Sequence, residues 1–349
     1  MWPPPPTDDE QRAVLGVLVT GRFTDGPWTE QVEQEMIDLT GARHAVAFSS
    51  CTAAIHAVLA ARDVTVGTPV AAPAWTFAGT WTGAQHLGAT PEFLDVDPDT
   101  HTLTADTEPS AEHVIAVDLH GVPHGMPRAN VITDACQALG TYPAAAGGTT
   151  CWSFSAAKAI PTPGGGAVTT DDPNEAARLR RLRDYGVTPG EDRAVGNVDD
   201  PAGHNWRMSE VDAALATLRL RTYPERWWPV MRDVGQTLRA AAEHAGFSVQ
   251  HAPPDAQVAW HKIRIGAPTF VNALILALSR YAIPCHRWGR PLSTMSAFGP
   301  AQPTPVSCDL FAYTVCLGTE RQPPWTWSND LLCHVIDALP RVAATLETS

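Results

Sequence analysis

Lysine is almost missing from this chain: of its 24 basic residues only Lys158 and Lys262 are lysines, the other twenty-two being arginines. A guanidinium stays protonated at any accessible pH, whereas a lysine amine can lose its proton in a suitable site and attack a carbonyl carbon. A lysine in so arginine-biased a chain therefore asks for a chemical reason, and Schiff-base chemistry is the first candidate. Basic runs are also lacking; a net charge of -13 and a pI near 5.4 exclude nucleic acid or an anionic membrane as the main partner, since both demand a basic face. No apolar run approaches the roughly 20 residues that span a bilayer. The opening Met1-Trp-Pro-Pro-Pro-Pro has no basic segment followed by an apolar one, so a cytoplasmic enzyme is the expectation. The seven cysteines are odd in number and scattered, with no C-x-x-C, which signals neither a disulfide framework nor a zinc site; buried free thiols and no metal are expected. No internal repeat is present.

What the chain does have is alternation. After a proline-rich lead-in, Asp8 to Val19 reads as the start of a helix, and an amphipathic one with Val32, Met36 and Ile37 on its apolar face runs from Thr29 and ends before Gly41. Apolar runs at His44–Phe48, Val70–Ala72, Thr90–Val96, Val114–Val117, Val131–Asp134 and Ala167–Thr169 predict strands. Between them Ala53–Ala61, Thr80–Leu87 and Asn174–Arg183 predict helices. Such alternation calls for a mainly parallel sheet with helices on both faces. Thr188 to Gly203 reads as a long surface loop, and Gly121 to Asn130 as a bare loop in a crossover too short for a helix. Helices follow at Met208–Leu220 and Pro224–Gly246, an alternating strand at Val258–Ile265, a helix at Thr269–Tyr281 and a last one at Trp327–Leu339. The change of rhythm places a domain boundary near Arg226: residues 1–225 form a large domain, with 1–28 as arm and loop, and 226–349 a smaller C-terminal α/β domain.

A parallel sheet gathers ligands at the carboxyl ends of its strands, and three candidates lie there. Ser49-Ser-Cys-Thr52 opens a helix and so offers backbone N–H groups and hydroxyls to an anion, or serves as a plain N-cap. Asp134 closes an apolar strand, where a carboxylate is costly without a cationic partner, unless it caps a helix over Ala135–Leu139. Lys158 follows the strand end Cys151-Trp-Ser and precedes Pro163-Gly-Gly-Gly166. Lys262 reads only as one position of an alternating strand. A phosphate pocket, a carboxylate and an amine at neighbouring strand ends are the grips that pyridoxal 5′-phosphate needs.

The order of these motifs resembles the DegT/DnrJ/EryC1/StrS aminotransferases, fold-type I pyridoxal-phosphate enzymes, over roughly residues 20 to 225. Ser49-Ser-Cys-Thr-Ala-Ala is similar to the family's S-G-T-A-A, Pro73-Ala-Trp-Thr-Phe to P-x-x-T-F, and Thr133-Asp-Ala-Cys-Gln to E-D-A-A-Q. Ser153-Phe-Ser-Ala-Ala-Lys resembles F-S-F-x-x-x-K, and Gly203-His-Asn-Trp-Arg-Met-Ser-Glu resembles G-x-N-x-R-M-S-E. The resemblance implies phosphate contacts from the Cys51 backbone, Thr52 and Ser153, and Phe77 over the ring. It also implies Asp134 at the pyridine nitrogen, Gln137 beside the ring hydroxyl and Lys158 holding the aldehyde as an imine. In the family the asparagine reaches the cofactor of the partner subunit, so Asn205 implies a homodimer with shared sites.

The implied activity is transamination from an amino acid, glutamate or glutamine, to a keto sugar, cyclitol or other secondary-metabolite ketone. Two alternatives stand beside it. One is elimination, as in the family's sugar dehydratases, which carry histidine where this chain has Lys158; the other is a non-catalytic scaffold. Tyr185, His286 and Trp288 are candidate substrate contacts, with Trp325 and Trp327 in the same tryptophan-rich segment. Two departures from the family pattern stand out: Thr162-Pro-Gly-Gly-Gly lacks the family's acidic residue, and Cys51 replaces a glycine.

Overall fold

The computed structural model describes residues 3–127, 131–141, 148–188, 198–200 and 203–347. Met1 and Trp2, most of the Thr188–Gly203 loop and the end of the Gly121–Asn130 crossover lie outside the described residues. Up to residue 127 the crossover holds only a 3-10 turn at Leu119–Gly121.

The first half folds as strands β1 (His44–Phe48), β2 (Pro69–Pro73), β3 (Thr90–Leu94), β4 (His113–Val117), β5 (Val131–Asp134), β6 (Thr149–Ser153) and β7 (Gly166–Thr170). They form one sheet in the order β1-β7-β6-β5-β4-β2-β3. Only β7 runs antiparallel to its neighbours. Alternate residues of a strand face opposite sides, and β1 shows it: Val46 and Phe48 pack with Ala54, Ile55 and Val58 of α3 (Cys51–Ala61) and Leu179 of α5 (Pro173–Arg183). Ala45 and Ala47 pack instead with Val32 and Met36 of α2 (Pro27–Thr40) and Ala213 and Ala216 of α6 (Glu210–Arg226). Helices thus cover both faces, as the alternation predicts. Helix α1 (Asp8–Thr20) starts with a reciprocal Thr7/Glu10 capping box and docks on α6 through a Glu10–Arg219 ion pair of 2.8 Å. Helix α4 (Gly79–His86) follows β2.

Beyond α7 (Trp228–His244) a second, antiparallel sheet has the order β10-β11-β9-β8. Its strands are β8 (Ser248–Val249), β9 (Ile263–Gly266), β10 (Cys285–His286) and β11 (Thr314–Leu317), and α8 (Val271–Arg280), α9 (Pro305–Tyr313) and α10 (Asn329–Glu347) complete this half.

Several expectations need correction. The strand expected over Val258–Ile265 is confined to Ile263–Gly266, because residues 258–266 are buried without interruption rather than on alternate faces. Helix α6 runs on to Arg226 with Pro224 inside it, and α7 starts afresh at Trp228. Residues 135–139 form turns, so Asp134 caps no helix. The free thiols are not all buried: Cys308 and Cys333 are exposed. Helix α9 and strands β10 and β11 went unread, the strands being only two and four residues long. Among the described residues no helix is long and apolar enough to cross a membrane, and no cluster of His, Cys, Asp and Glu could hold a metal ion.

Candidate active site

Because β1, β2, β4, β5 and β6 all point the same way, the segments that follow them emerge at one rim of the large sheet. Asp134 ends β5 there and is 2% exposed. Its Oδ2 accepts a hydrogen bond from Thr80 Oγ1 (2.7 Å) and its Oδ1 one from the Cys136 N–H (3.1 Å). Thr80 is itself paired with Thr76 at 2.9 Å, so a pair of hydroxyls, one in α4 and one in the turn before it, fixes the carboxylate. Asp134 makes no ion pair with any described residue.

Lys158 is half-buried, and its Nζ donates to Cys136 Sγ at 3.8 Å, two residues from Asp134. Burial, reinforced by Asp134, pushes the Cys136 thiol up to about 12, so it stays protonated. Gln137 Oε1 accepts from the His120 N–H at 2.8 Å. A backbone N–H can only donate, so the oxygen of the amide must face it and the NH2 is left to look elsewhere.

The start of α3 meets the same rim. Ser50 is its N-cap, accepting from the Ala53 N–H, so the plain capping reading holds for Ser50. Gly166, the first residue of β7, lies between Phe48 and Ser153 in register. A Cβ at Gly166 would stand 2.5 Å from the Cys51 nitrogen, so only glycine lets that strand reach the helix start. At Gly79 a Cβ would meet Phe77 Cδ1 at 3.1 Å and Thr52 Oγ1 at 3.2 Å, leaving an open cradle between an aromatic ring and a hydroxyl. The Thr162–Gly166 loop lacks its own acid, but Asp212 of α6 reaches across and accepts from the Gly164 N–H at 3.2 Å.

A cavity of about 420 Å³ opens onto this rim. One wall carries Phe77, Gln137 and Lys158, the other His261, Lys262, His286 and Trp288 from the C-terminal half. Phe77 is 68% exposed, an apolar ring left uncovered at the mouth. Of the expected residues, the structure gathers Phe77, Gln137, Lys158, His286 and Trp288 in this cavity, with Asp134 tied to it through Thr80 and Cys136. Cys51 and Thr52 open α3 and Ser153 ends β6 at the same rim. Tyr185, under the Arg207 guanidinium at 5.0 Å, and the exposed Asn205, bridged to Asp184, are not among the cavity's lining residues. Trp325 packs against His261 at 5.2 Å, and Trp327 belongs to the C-terminal core.

Two wall residues escaped the sequence reading. His261 is 3% exposed and burial holds its imidazole well below the usual range, with Lys158 and Lys262 adding to the effect. Lys262, read as a strand position, instead precedes β9 and is 7% exposed. Its signal was in view, because the scarcity that singles out Lys158 applies equally to the only other lysine.

This donor set fits pyridoxal 5′-phosphate: a buried carboxylate with no ion pair to a described residue, an amine close by, and a helix start beside an open cradle. Fold and site together define a fold-type I pyridoxal-phosphate transferase. The model of the DegT/DnrJ/EryC1/StrS aminotransferase family matches residues 6–322, and the chain belongs to that family of pyridoxal-phosphate-dependent aminotransferases. Among similar solved structures, 3-amino-5-hydroxybenzoic acid synthase is 20% identical, with a TM-score of 0.86 over 99% of this chain and 98% of its own. The aminotransferase TlmJ from Streptoalloteichus hindustanus is 22% identical, with a TM-score of 0.86 and 99% of both chains covered. An aminotransferase from Psychrobacter cryohalolentis is 24% identical, with a TM-score of 0.85 and 99% of both chains covered. At these identities the likeness carries the fold.

Proposed function

We propose that this enzyme moves an amino group from glutamate or glutamine to a ketone of secondary metabolism, a keto sugar, a cyclitol or a related precursor, with Lys158 as its catalytic amine. The supporting observation is the convergence on one sheet rim of Lys158 and a buried Asp134 that has no ion pair with a described residue. Asp134 would hold the cofactor at its ring nitrogen, Gln137 at the ring hydroxyl and Phe77 on the ring face. The Cys51 N–H, Thr52 and Ser153 would hold the phosphate. When bound, the cofactor supplies an aldehyde with which amines condense and a protonated ring that draws electrons from the bonds of the attached amino acid. Asp134, oriented by Thr80 and the Cys136 N–H, keeps the proton on the ring nitrogen, since an adjacent carboxylate favours the cationic form. Lys158 Nζ takes the proton from the α-carbon of the donor and later returns one to the acceptor carbon. His261, held neutral, adds no positive charge beside that amine. Asn205 and Tyr185, which do not line this chain's own cavity, serve the partner subunit's site in a homodimer. The chain divides functionally at residue 225, the cofactor being held by the first part and the cavity closed by the second.

Borohydride reduction of the holoenzyme followed by peptide mapping tests this. The pyridoxyl label is expected on Lys158, and Lys158→Ala is expected to lower turnover by at least ~10²–10⁴-fold, the scale of one acid–base group. A label on Lys262, or none, would overturn the assignment.

A further inference from the structure

The chain's two lysines line the same cavity, and the second makes no ion pair with any described residue. Lys262 Nζ lies 3.2 Å from His286 Nε2 and 5.2 Å from the centre of the Trp288 ring. His286 Nδ1 is 2.8 Å from the Gly318 carbonyl, which can only accept. The proton therefore sits on Nδ1, and Nε2 accepts from Lys262. Burial, with Lys262 next in weight, pushes His286 below its usual range, which keeps it neutral. Lys262 thus spends one N–H on His286 and has no other hydrogen-bond acceptor among the described residues.

Burial outweighs the offsetting charges of Cys316 and Glu320 on Lys262, and no described residue forms an ion pair with it. Glu320, the one carboxylate lining the cavity among the described residues, is exposed and makes no ion pair with Lys262. Arg287 is engaged elsewhere, its guanidinium 3.8 Å over the Phe311 ring, and Arg290 is exposed. A buried ammonium without a counter-ion is costly, and burial lowers the Lys262 amine accordingly. An anion arriving in the cavity removes that cost, and a carboxylate matches two free N–H donors.

We propose that Lys262, steadied by His286 and Trp288, is the carboxylate-binding residue of the substrate pocket, so that at least one of the molecules turned over here is a carboxylate seated against the C-terminal wall. The assignment rests on the transamination reading only in calling the cavity a substrate pocket. It makes Lys262 a specificity residue and leaves the proton transfers to Lys158.

The test is calorimetric titration of the holoenzyme with glutarate and with its neutral diamide, glutaramide. The wild type is expected to prefer glutarate. Lys262→Gln should weaken glutarate by roughly 30-fold or more, the loss typical of removing one partner of a buried ion pair, and leave glutaramide unchanged. A packing role for Lys262 would not alter that charge preference. A preference that persists in Lys262→Gln overturns the proposal. Should that variant not fold, the wild type alone decides, because equal affinity for the two ligands also overturns it. Stopped-flow half-reactions assign the source: a loss confined to the glutamate half-reaction puts the donor's carboxylate on Lys262, and a loss confined to the keto-acid half-reaction puts the acceptor's there. A loss in neither overturns it. If borohydride fails to label Lys158 while glutarate binding still depends on Lys262, the transamination reading falls and the carboxylate site stands.

Discussion

Asp134, the carboxylate proposed to face the cofactor, is held without an ion pair to any described residue. Its oxygens accept hydrogen bonds from Thr80 and from the Cys136 N–H, and with no ion pair to a described residue it keeps its charge available for a cationic ring. Thr80→Val keeps the shape of the side chain and removes the donor. A hydrogen bond to a charged acceptor contributes about 1.5–3 kcal/mol, so cofactor affinity is expected to fall by roughly ten-fold or more, measured as the dissociation constant from the absorbance of the bound cofactor. At this scale Asp134 and Lys158 stood out as candidates, one as a carboxylate closing an apolar strand and the other as a scarce lysine, whereas Gln137 came only from the family resemblance. Thr80 and Lys262 were not placed. A hydroxyl in a helix and an amine in an apolar run acquire their meaning only from what packs against them, and those partners lie 54 and 24 residues away along the chain.

At the scale of elements, the ends of helices do much of the positioning. Helix α2 begins at Gly26 with no side-chain cap of its own. Glu210, at the start of α6, accepts from the Trp28 and Thr29 N–H groups at 3.0 and 2.9 Å instead. Two residues on, Asp212 steadies the glycine loop that follows Lys158. The last residue of the Gly203–Glu210 motif is therefore a cap for another helix. Helices α3 and α4 meet through His56, whose ring lies 4.7 Å from Trp206, 5.6 Å from His204 and 6.1 Å from His86. Burial, and then the two neighbouring imidazoles, lower His56 from 6.5 to about 4. The folded chain therefore binds fewer protons than the unfolded one between these values, and stability falls as pH drops through that window. His56→Gln is expected to flatten the dependence: the decrease in melting temperature between pH 7.5 and pH 5 should be smaller than in the wild type.

For the whole molecule, the cavity is closed within one chain on two sides, yet Asn205 and Tyr185 stand outside it. The twofold dimer proposed above, with this segment serving the partner subunit's site, would account for both. It predicts complementation: Lys158→Ala and Asn205→Ala proteins, each weakly active alone, should regain activity when unfolded together and refolded. Random pairing yields hybrids with one intact site, and so about a quarter of wild-type turnover. Separate sites within each chain would give no gain on mixing.

The strand and helix order of the first half, its apolar faces, Asp134 and Lys158 as candidates and the family itself were decided by the sequence, because hydrophobic periodicity and strand-end residues act locally and survive reading in one dimension. Tertiary structure alone decided that both lysines share a cavity, that Asp212 stands in for a missing acid and that Glu210 caps a distant helix. Such pairings depend on how two sheets and their helices close over one another, and burial, which sets the electrostatics of Lys262, His261 and His286, exists only once they have closed.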